Sequence, residues 1–173
     1  MSKPKRIFVV GHMGAGKFLF SEALAKKLGW SLFDANPSLE RKMGRTFSEI
    51  FGQQGEAAFH QFEAEIIRRY IHHHDHFVMV MEESVIATEE NRKLLASEYV
   101  IYLKVSTETQ IERMKSGENG VIPAPLLPIA NLNVFLDKQH MERDHLFEEV
   151  ATLIIDSVDI DEDVNTAINA MDI

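Results

Sequence analysis

Short, almost wholly apolar runs alternate along this chain with longer segments in which apolar residues recur at helical spacing. Five runs have the length and composition of buried strands, and they cover residues 6–10, 31–34, 77–81, 99–105 and 151–156. Helical periodicity and capping signals predict helices over residues 16–28, 36–43, 46–51, 55–72, 88–96, 107–115, 134–149 and 162–171. This alternation predicts an α/β fold of three layers, α/β/α, with a five-stranded parallel sheet flanked by helices.

The same pattern also predicts the buried face of the first helix and the position of a long loop. In the first helix the predicted buried face is Leu19, Ala23, Leu24 and Leu28. The segment 116–133 contains glycine, asparagine and three prolines, and it predicts a mobile surface loop. We expect the whole chain, 1–173, to form a single domain, because its length is typical of one.

Composition and charge narrow the function classes. Hydrophobic residues make up 45% of the chain and charged residues 26%, which is typical of a globular protein. No apolar run approaches the roughly 18 residues of a membrane span, and the absence of cysteine excludes disulfides and thiolate metal sites. We therefore expect a cytoplasmic protein without a membrane partner. The net charge of −9 argues against nucleic acid as a partner, whereas a compact anion can still bind local backbone amides.

The most specific chemical signal is the run Gly-His-Met-Gly-Ala-Gly-Lys at residues 11–17, called here the phosphate loop. It matches the phosphate-binding pattern G-x-x-x-x-G-K-[ST] up to the last position, and it joins a predicted strand to a predicted helix as that pattern requires. Backbone amides, a helix N-terminus and a lysine together attract phosphate. The sequence predicts a nucleotide or phosphate site at Gly11, Met13, Gly14, Ala15, Gly16 and Lys17.

Phe18 occupies the last position of this pattern, where a serine or threonine hydroxyl normally coordinates Mg²⁺. A phenyl ring cannot bind the ion, so phosphoryl transfer is expected to slow by orders of magnitude unless water or another group substitutes. A compatible interpretation is that Phe18 is a core residue of the first helix.

Beyond the loop, several blocks of sequence resemble the shikimate kinase family. They are residues 28–34 (Leu-Gly-Trp-Ser-Leu-Phe-Asp), 49–59, 125–127 (Pro-Leu-Leu) and 142–151 (Glu-Arg-Asp-His-Leu-Phe-Glu-Glu-Val-Ala). The resemblance covers nearly the whole chain. It implies a P-loop kinase fold of nucleoside-monophosphate-kinase type with a lid over ATP at 116–133, and transfer of phosphate from ATP with Mg²⁺ to the 3-hydroxyl of shikimate.

The resemblance assigns roles to three further residues. Asp34 matches the first acid of an Asp-x-Asp pair, which helps hold hydrated Mg²⁺ near the acceptor. Arg143 matches an arginine that binds the acceptor carboxylate, and Arg113 one that lies against the adenine ring. For both arginines a solvated position on a helix face is the alternative.

Five places depart from the family pattern. Phe18 removes the metal ligand, and Asn36 replaces the carboxylate that helps remove the acceptor proton. His60 replaces an arginine that binds the acceptor carboxylate, and Glu82–Glu83 lies where a glycine triplet lines the acceptor pocket. Ala124 replaces a lid arginine that stabilises the transferring phosphoryl group. These changes predict that shikimate phosphorylation is lost or strongly impaired, that shikimate binding is doubtful, and that a nucleotide or phosphate site remains. We also expect a monomer.

Several alternatives remain open at this level. Glu82 and Glu83 can substitute as metal and base groups in an active small-molecule kinase, or they point to solvent or pair with Lys17 or Arg143. A purely structural protein with an empty pocket is a further possibility. The histidines at 72–74 and 76 form either a metal site or a solvated helix end, and the acidic stretch 156–163 predicts a solvated loop.

Overall fold

The computed structural model describes residues 3–35, 55–116 and 130–173. Its centre is a parallel sheet of five strands, in the spatial order β2-β3-β1-β4-β5. The strands are β1 (Arg6–Val10), β2 (Ser31–Asp34), β3 (Phe77–Val80), β4 (Tyr99–Lys104) and β5 (Leu153–Asp156). The predicted α/β class, the five parallel strands and their bounds to within two residues are confirmed.

Helices cover both faces of this sheet. They are α1 (Lys17–Leu28), α2 (Gly55–His73), α3 (Glu89–Ala96), α4 (Thr107–Lys115), α5 (Leu132–Val150) and α6 (Ile160–Met171), with a short 3-10 helix at Glu83–Ala87. Four of them directly follow a capping residue whose side chain accepts a hydrogen bond from the amide three positions on, which satisfies an otherwise unpaired helix donor. These caps are Thr88, Ser106, Asn131 and Asp159.

Successive side chains of β1 divide between two hydrophobic cores. Phe8 and Val10 belong to a core that includes residues of α2, α3 and α5. Ile7 and Val9 belong to the opposite core, formed with α1 and α6. Because both faces of the strand are covered, its sequence is continuously apolar rather than alternating.

The face of α1 matches its prediction in part: Leu24 is buried, and Ala23 and Leu28 pack against the core, but Leu19 does not. The helix buries Phe20, Ser21, Leu24 and Ala25, whereas Leu19 is 55% exposed. Apolar residues occupy adjoining positions of this helix, so periodicity alone leaves its orientation uncertain by about 100°. Ser21 is polar but buried, so the apolar pattern does not mark the whole buried face. Gly29 ends the helix in a left-handed conformation, as predicted.

The acidic stretch 156–163 was predicted to be a solvated loop, and that prediction is wrong at its C-terminal end. Helix α6 begins at Ile160, and Asp163 is buried. Its carboxylate accepts hydrogen bonds from the Ser157 hydroxyl and the Val158 amide. A buried acid with two donors closes the turn between β5 and α6.

The predicted lid segment 116–133 overlaps the structure only at its ends. Helix α5 begins at Leu132, two residues before the predicted start, so the last two residues of that segment are helical rather than loop. The rest of it, with Ala124, and the predicted helices at 36–43 and 46–51, with Asn36, lie outside the described residues. Within the described ranges, every helix is too short or too polar to cross a lipid bilayer.

We predict that Gly11→Ala destabilises the protein more than Gly29→Ala. Both glycines have positive φ, at 151° and 70°, but a Cβ on Gly11 would lie 2.8 Å from the backbone oxygen of Leu103, while one on Gly29 meets nothing within 4 Å. The change at Gly29 should cost about 1 kcal/mol of unfolding free energy, and the change at Gly11 at least about twice that. Urea denaturation of the two variants measures the difference, and equal losses would contradict this account of the loop.

Candidate active site

The phosphate loop lies where the carboxyl ends of the strands meet. It leaves the end of central strand β1, next to the ends of β3 and β4, and leads directly into α1. In open parallel sheets this edge is where ligands bind. A cavity of about 280 Å³ at this edge is lined by the loop, by Phe18 and Asp34, and by residues 80–83.

Lys17 is held on the loop itself. Its Nζ donates hydrogen bonds to the carbonyl oxygens of Gly11, at 2.8 Å, and His12, at 3.0 Å. Desolvation lowers the pKa of the ammonium group, while the nearby carboxylates of Glu83, Glu82 and Asp34 act to raise it. Desolvation outweighs the acids, so the pKa of Lys17 lies below its ordinary value.

Glu82 and Glu83 are both turned toward the loop rather than toward solvent. Burial raises the pKa of Glu82, an effect that Lys17 opposes. Glu83 Oε2 accepts a hydrogen bond from the Met13 amide at 3.2 Å and lies 3.4 Å from Nη1 of Arg143. The interpretation in which Glu82 and Glu83 point to solvent is therefore wrong. The structure instead contains an ion pair between Glu83 and Arg143.

Phe18 is 44% exposed, so its interpretation as a core residue of α1 is wrong. It follows Lys17 directly in the first turn of the helix and lines the same cavity as Asp34 and Glu82. A hydroxyl at this position would face the cavity, and the phenyl ring there offers no oxygen to a metal.

His60 lies in a buried polar group that the sequence did not reveal. Its Nδ1 is 2.7 Å from Oε1 of Glu63, and the Ser84 hydroxyl donates to the other oxygen at 3.3 Å. Glu63 has no exposed surface, and burial raises its pKa although His60 acts to lower it. The i, i+3 spacing on α2 was the available signal, but it does not show that the pair is buried.

Arg113 and Arg143 are both more enclosed than solvated helix-face arginines. Arg113 donates to the carbonyl of Ala15 at 2.7 Å and to that of Val158 at 3.2 Å, so it joins α4 to the loop. It also lines a larger cavity of about 1000 Å³ beside the loop. Nη1 of Arg143 is buried and, among the described residues, lacks a hydrogen-bond partner.

A second buried polar group, called here the loop anchor, was also missed from the sequence. It consists of His12, Tyr102, Gln110, His140 and Asp144. His12 Nε2 lies 2.6 Å from Asp144 Oδ1, His140 Nδ1 lies 3.0 Å from the same oxygen, and the Tyr102 hydroxyl donates to it at 3.1 Å. His140 Nε2 lies 3.0 Å from Gln110 Oε1.

Electrostatics in the loop anchor follow from its burial. Desolvation lowers the pKa of His12. Burial, together with the charge of the nearby Asp144 carboxylate, raises the pKa of Tyr102. Burial acts to raise the pKa of Asp144 too, but its hydrogen bond with His12 and the charge of His140 hold that pKa below its ordinary value. The aspartate is therefore ionised, and it fastens the loop to α5.

Comparisons with known proteins find relatives over most of this chain. A family model described as shikimate kinase matches residues 13–172. The chain is 36% identical over 151 residues to the shikimate kinase of Chromobacterium violaceum, covering 87% of this chain and 79% of that protein. It is 33% identical to that of Methylococcus capsulatus, covering 91% and 86% of the two chains.

Solved structures give the same picture of the fold. The shikimate kinase from Acinetobacter baumannii in complex with shikimate is 28% identical, with a TM-score of 0.84 over 98% of this chain and 94% of that one. A shikimate kinase from Bacteroides thetaiotaomicron, 20% identical, has a TM-score of 0.86 over 98% and 99% of the two chains and supports the fold alone.

We predict that Glu63→Gln weakens the pH dependence of stability. In the unfolded chain this acid ionises near pH 4.5, whereas in the folded protein its pKa is raised. Between those two pKa values the folded state holds more protons, so the unfolding free energy falls as pH rises through this window. The variant should lose that contribution, so its stability should decline less than that of the wild type above pH 4.5.

Urea denaturation between pH 4.5 and pH 7 measures this slope. Glu149→Gln, at an exposed position of α5, makes the same charge change and should keep the wild-type slope. Identical slopes for Glu63→Gln and the wild type would show that the buried carboxyl does not titrate differently on folding.

Proposed function

This chain belongs to the shikimate kinase family, and we propose that it binds the phosphates of a nucleotide but has lost most or all of the transfer of phosphate to shikimate. ATP is the nucleotide that the family relationship implies. The proposed phosphate and nucleotide contacts are those predicted from the sequence: Gly11, Met13, Gly14, Ala15, Gly16, Lys17 and Arg113.

Retained phosphate binding is supported by the loop and its surroundings. The loop leads into α1 through Gly16, whose left-handed conformation ends the loop at the helix N-terminus. Lys17 is already directed across the loop onto the carbonyl oxygens of Gly11 and His12. The cavity of about 1000 Å³ beside Arg113 and Gly16 is large enough for the nucleoside part of ATP.

The observation that carries the impairment is the contact of Glu83 with both the Met13 amide and Arg143. Arg143 is the surviving arginine proposed to bind the acceptor carboxylate, and an anionic acceptor there would meet a carboxylate of the protein. Two like charges 4 Å apart near a protein surface repel by about 4 kcal/mol, which is roughly a thousandfold in affinity. His60, paired with Glu63, adds no bidentate cation to offset this repulsion.

The residues around Lys17 do not fit direct Mg²⁺ coordination as the family implies it. Phe18 offers no oxygen, and Asp34 is left to hold the ion through water. The proposal adds the replacements at Asn36 and Ala124, which the sequence shows and which would remove a base and a transition-state cation.

One observation favours a second candidate, an active kinase for shikimate or another small acceptor. Glu82 lies in the cavity beside Phe18, and burial raises its pKa, a property common among catalytic bases. In this alternative Glu82 removes the acceptor proton and Glu83 contributes to metal binding.

We predict measurable ATP binding without substantial turnover. Calorimetric titration with ATP and Mg²⁺ should show binding that Lys17→Met abolishes, because the loop then lacks its positive charge. A coupled assay with shikimate should give turnover well below the usual kinase range of about 1–100 s⁻¹. Turnover within that range, lost in Glu82→Gln, would establish the second candidate instead, and undetectable ATP binding would overturn the retained nucleotide site.

We further predict that Phe18→Ser restores a dependence of ATP affinity on Mg²⁺. Serine supplies the missing hydroxyl next to Lys17, while Phe18→Ala removes the ring and adds no ligand. The ratio of ATP dissociation constants with EDTA and with Mg²⁺ should rise roughly tenfold in the serine variant over the alanine variant. Both should cost less than about 1 kcal/mol of stability, since Phe18 is 44% exposed. Equal ratios in the two variants would mean that the phenyl ring is not what weakens metal binding.

A further inference from the structure

The loop anchor has the donor set of a transition-metal site. Nitrogen atoms of His12 and His140 and a carboxylate oxygen of Asp144 all lie within 4.8 Å of one another. Imidazole nitrogen with carboxylate oxygen is the ligand set of many zinc sites, and three protein ligands leave one position for water. Within the three described ranges, no other such group of histidine and acidic side chains occurs, and the histidine-rich turn at 72–76 does not form one.

Gln110 determines which ring nitrogen of a neutral His140 carries the proton. The Gln110 amide nitrogen donates to the Met13 carbonyl at 2.6 Å, so its oxygen is the atom that faces His140 Nε2 at 3.0 Å. That oxygen can only accept, so Nε2 carries the proton. In neutral His140 the lone pair of Nδ1 then faces the Asp144 carboxylate at 3.0 and 3.3 Å.

A lone pair opposite a carboxylate at this distance is repulsive unless a cation lies between them. The cation is either a proton on His140 or a metal ion. His12 adds a third ligand atom beside this pair, and hydrogen bonds orient His140 and Asp144 from behind. We therefore infer that this group binds a divalent transition-metal ion such as Zn²⁺ through His12 Nε2, His140 Nδ1 and Asp144.

The groups behind two of the three ligands, His140 and Asp144, match those of known metal sites. Metal-binding histidines usually donate their other ring N–H to a carbonyl or carboxylate, as His140 does to Gln110. The Tyr102 hydroxyl donates to Oδ1 of the carboxylate and orients it. Nδ1 of His12 lacks a hydrogen-bond partner among the described residues, so its proton can lie there and leave Nε2 to bind the ion.

The spacing and accessibility also suit an ion. Metal–ligand distances near 2.1 Å in a tetrahedral site place ligand atoms roughly 3.4 Å apart. The pairs at 2.6 and 3.0 Å therefore need to separate by less than about 1 Å, which small side-chain rotations provide. His12 is buried, whereas Asp144 is 31% exposed, so the site is reached from the side of the aspartate.

A bound ion would join the phosphate loop to α5. His12 belongs to the loop, and Asp144 is adjacent in the chain to Arg143. The ion would hold both in place independently of nucleotide, and its binding does not depend on the proposed function.

We expect the metal-free protein to bind one equivalent of Co²⁺ with the absorption of a tetrahedral site, and Zn²⁺ to displace it. Zn²⁺ should also raise the melting temperature. His140→Gln keeps a donor toward Gln110 but removes the ligand nitrogen, so it should weaken binding at least about tenfold and abolish the shift in melting temperature. Asp144→Asn, which keeps the shape of the side chain, should weaken binding similarly, so the test survives if one variant folds poorly.

Two controls separate this site from surface histidines. His145→Gln lies at an exposed position of the same helix and should leave Co²⁺ binding unchanged, as should the joint change of His72 and His73 to asparagine. Loss of binding in the latter, or no bound Co²⁺ at micromolar concentration in the wild type, would overturn the inference and leave a proton as the cation between His140 and Asp144.

Discussion

The balance of charge around the Lys17 ammonium is the interaction on which the site depends. The group is bonded to two carbonyls of its own loop, and the carboxylates of Glu83, Glu82 and Asp34 lie close enough to favour its charged form. Asp34 is the last residue of β2, and Glu82 and Glu83 follow the end of β3, so the sheet itself brings these acids to the lysine. A cation with carboxylates nearby attracts an added phosphate less strongly than one that faces only amides, because the phosphate meets the repulsion of those carboxylates.

The fold and the site depend on different kinds of residue. The two cores on either side of the sheet are built from apolar side chains of β1 and its neighbours. Stability depends on their close packing, and phosphoryl transfer depends on a few charged atoms at the sheet edge. A change at a position such as Phe18, which is 44% exposed, therefore costs the fold little.

The phosphate loop is held in place by side chains of other elements. Gln110 and Arg113 of α4 donate to loop carbonyls, and Asp144 of α5 contacts His12. Glu83 accepts a hydrogen bond from the Met13 amide and forms an ion pair with Arg143, which lies on α5. A ligand that moves the loop would therefore change contacts with α4 and α5.

The sequence by itself determined the order of strands and helices, the parallel sheet and the position of the phosphate loop. Apolar periodicity, capping residues and the spacing of Gly11, Gly16 and Lys17 are local properties, so they can be recognised without a structure. The same signals left the face of α1 ambiguous, since apolar residues at Leu19 and Phe20 lie on adjoining faces and only packing against the sheet selects Phe20.

Only the tertiary structure decided which polar side chains meet at the site. Glu83 and Met13 are 70 residues apart in the chain, and His12 and Asp144 are 132 apart. The spacing of residues along a sequence does not predict such pairs. The packing of helices against the sheet decides how close the two residues lie and how deeply they are buried. The burial that changes the pKa values of Lys17, Glu63 and Glu82 arises in the same way, so the electrostatics of the site follow from the fold and not from the motif.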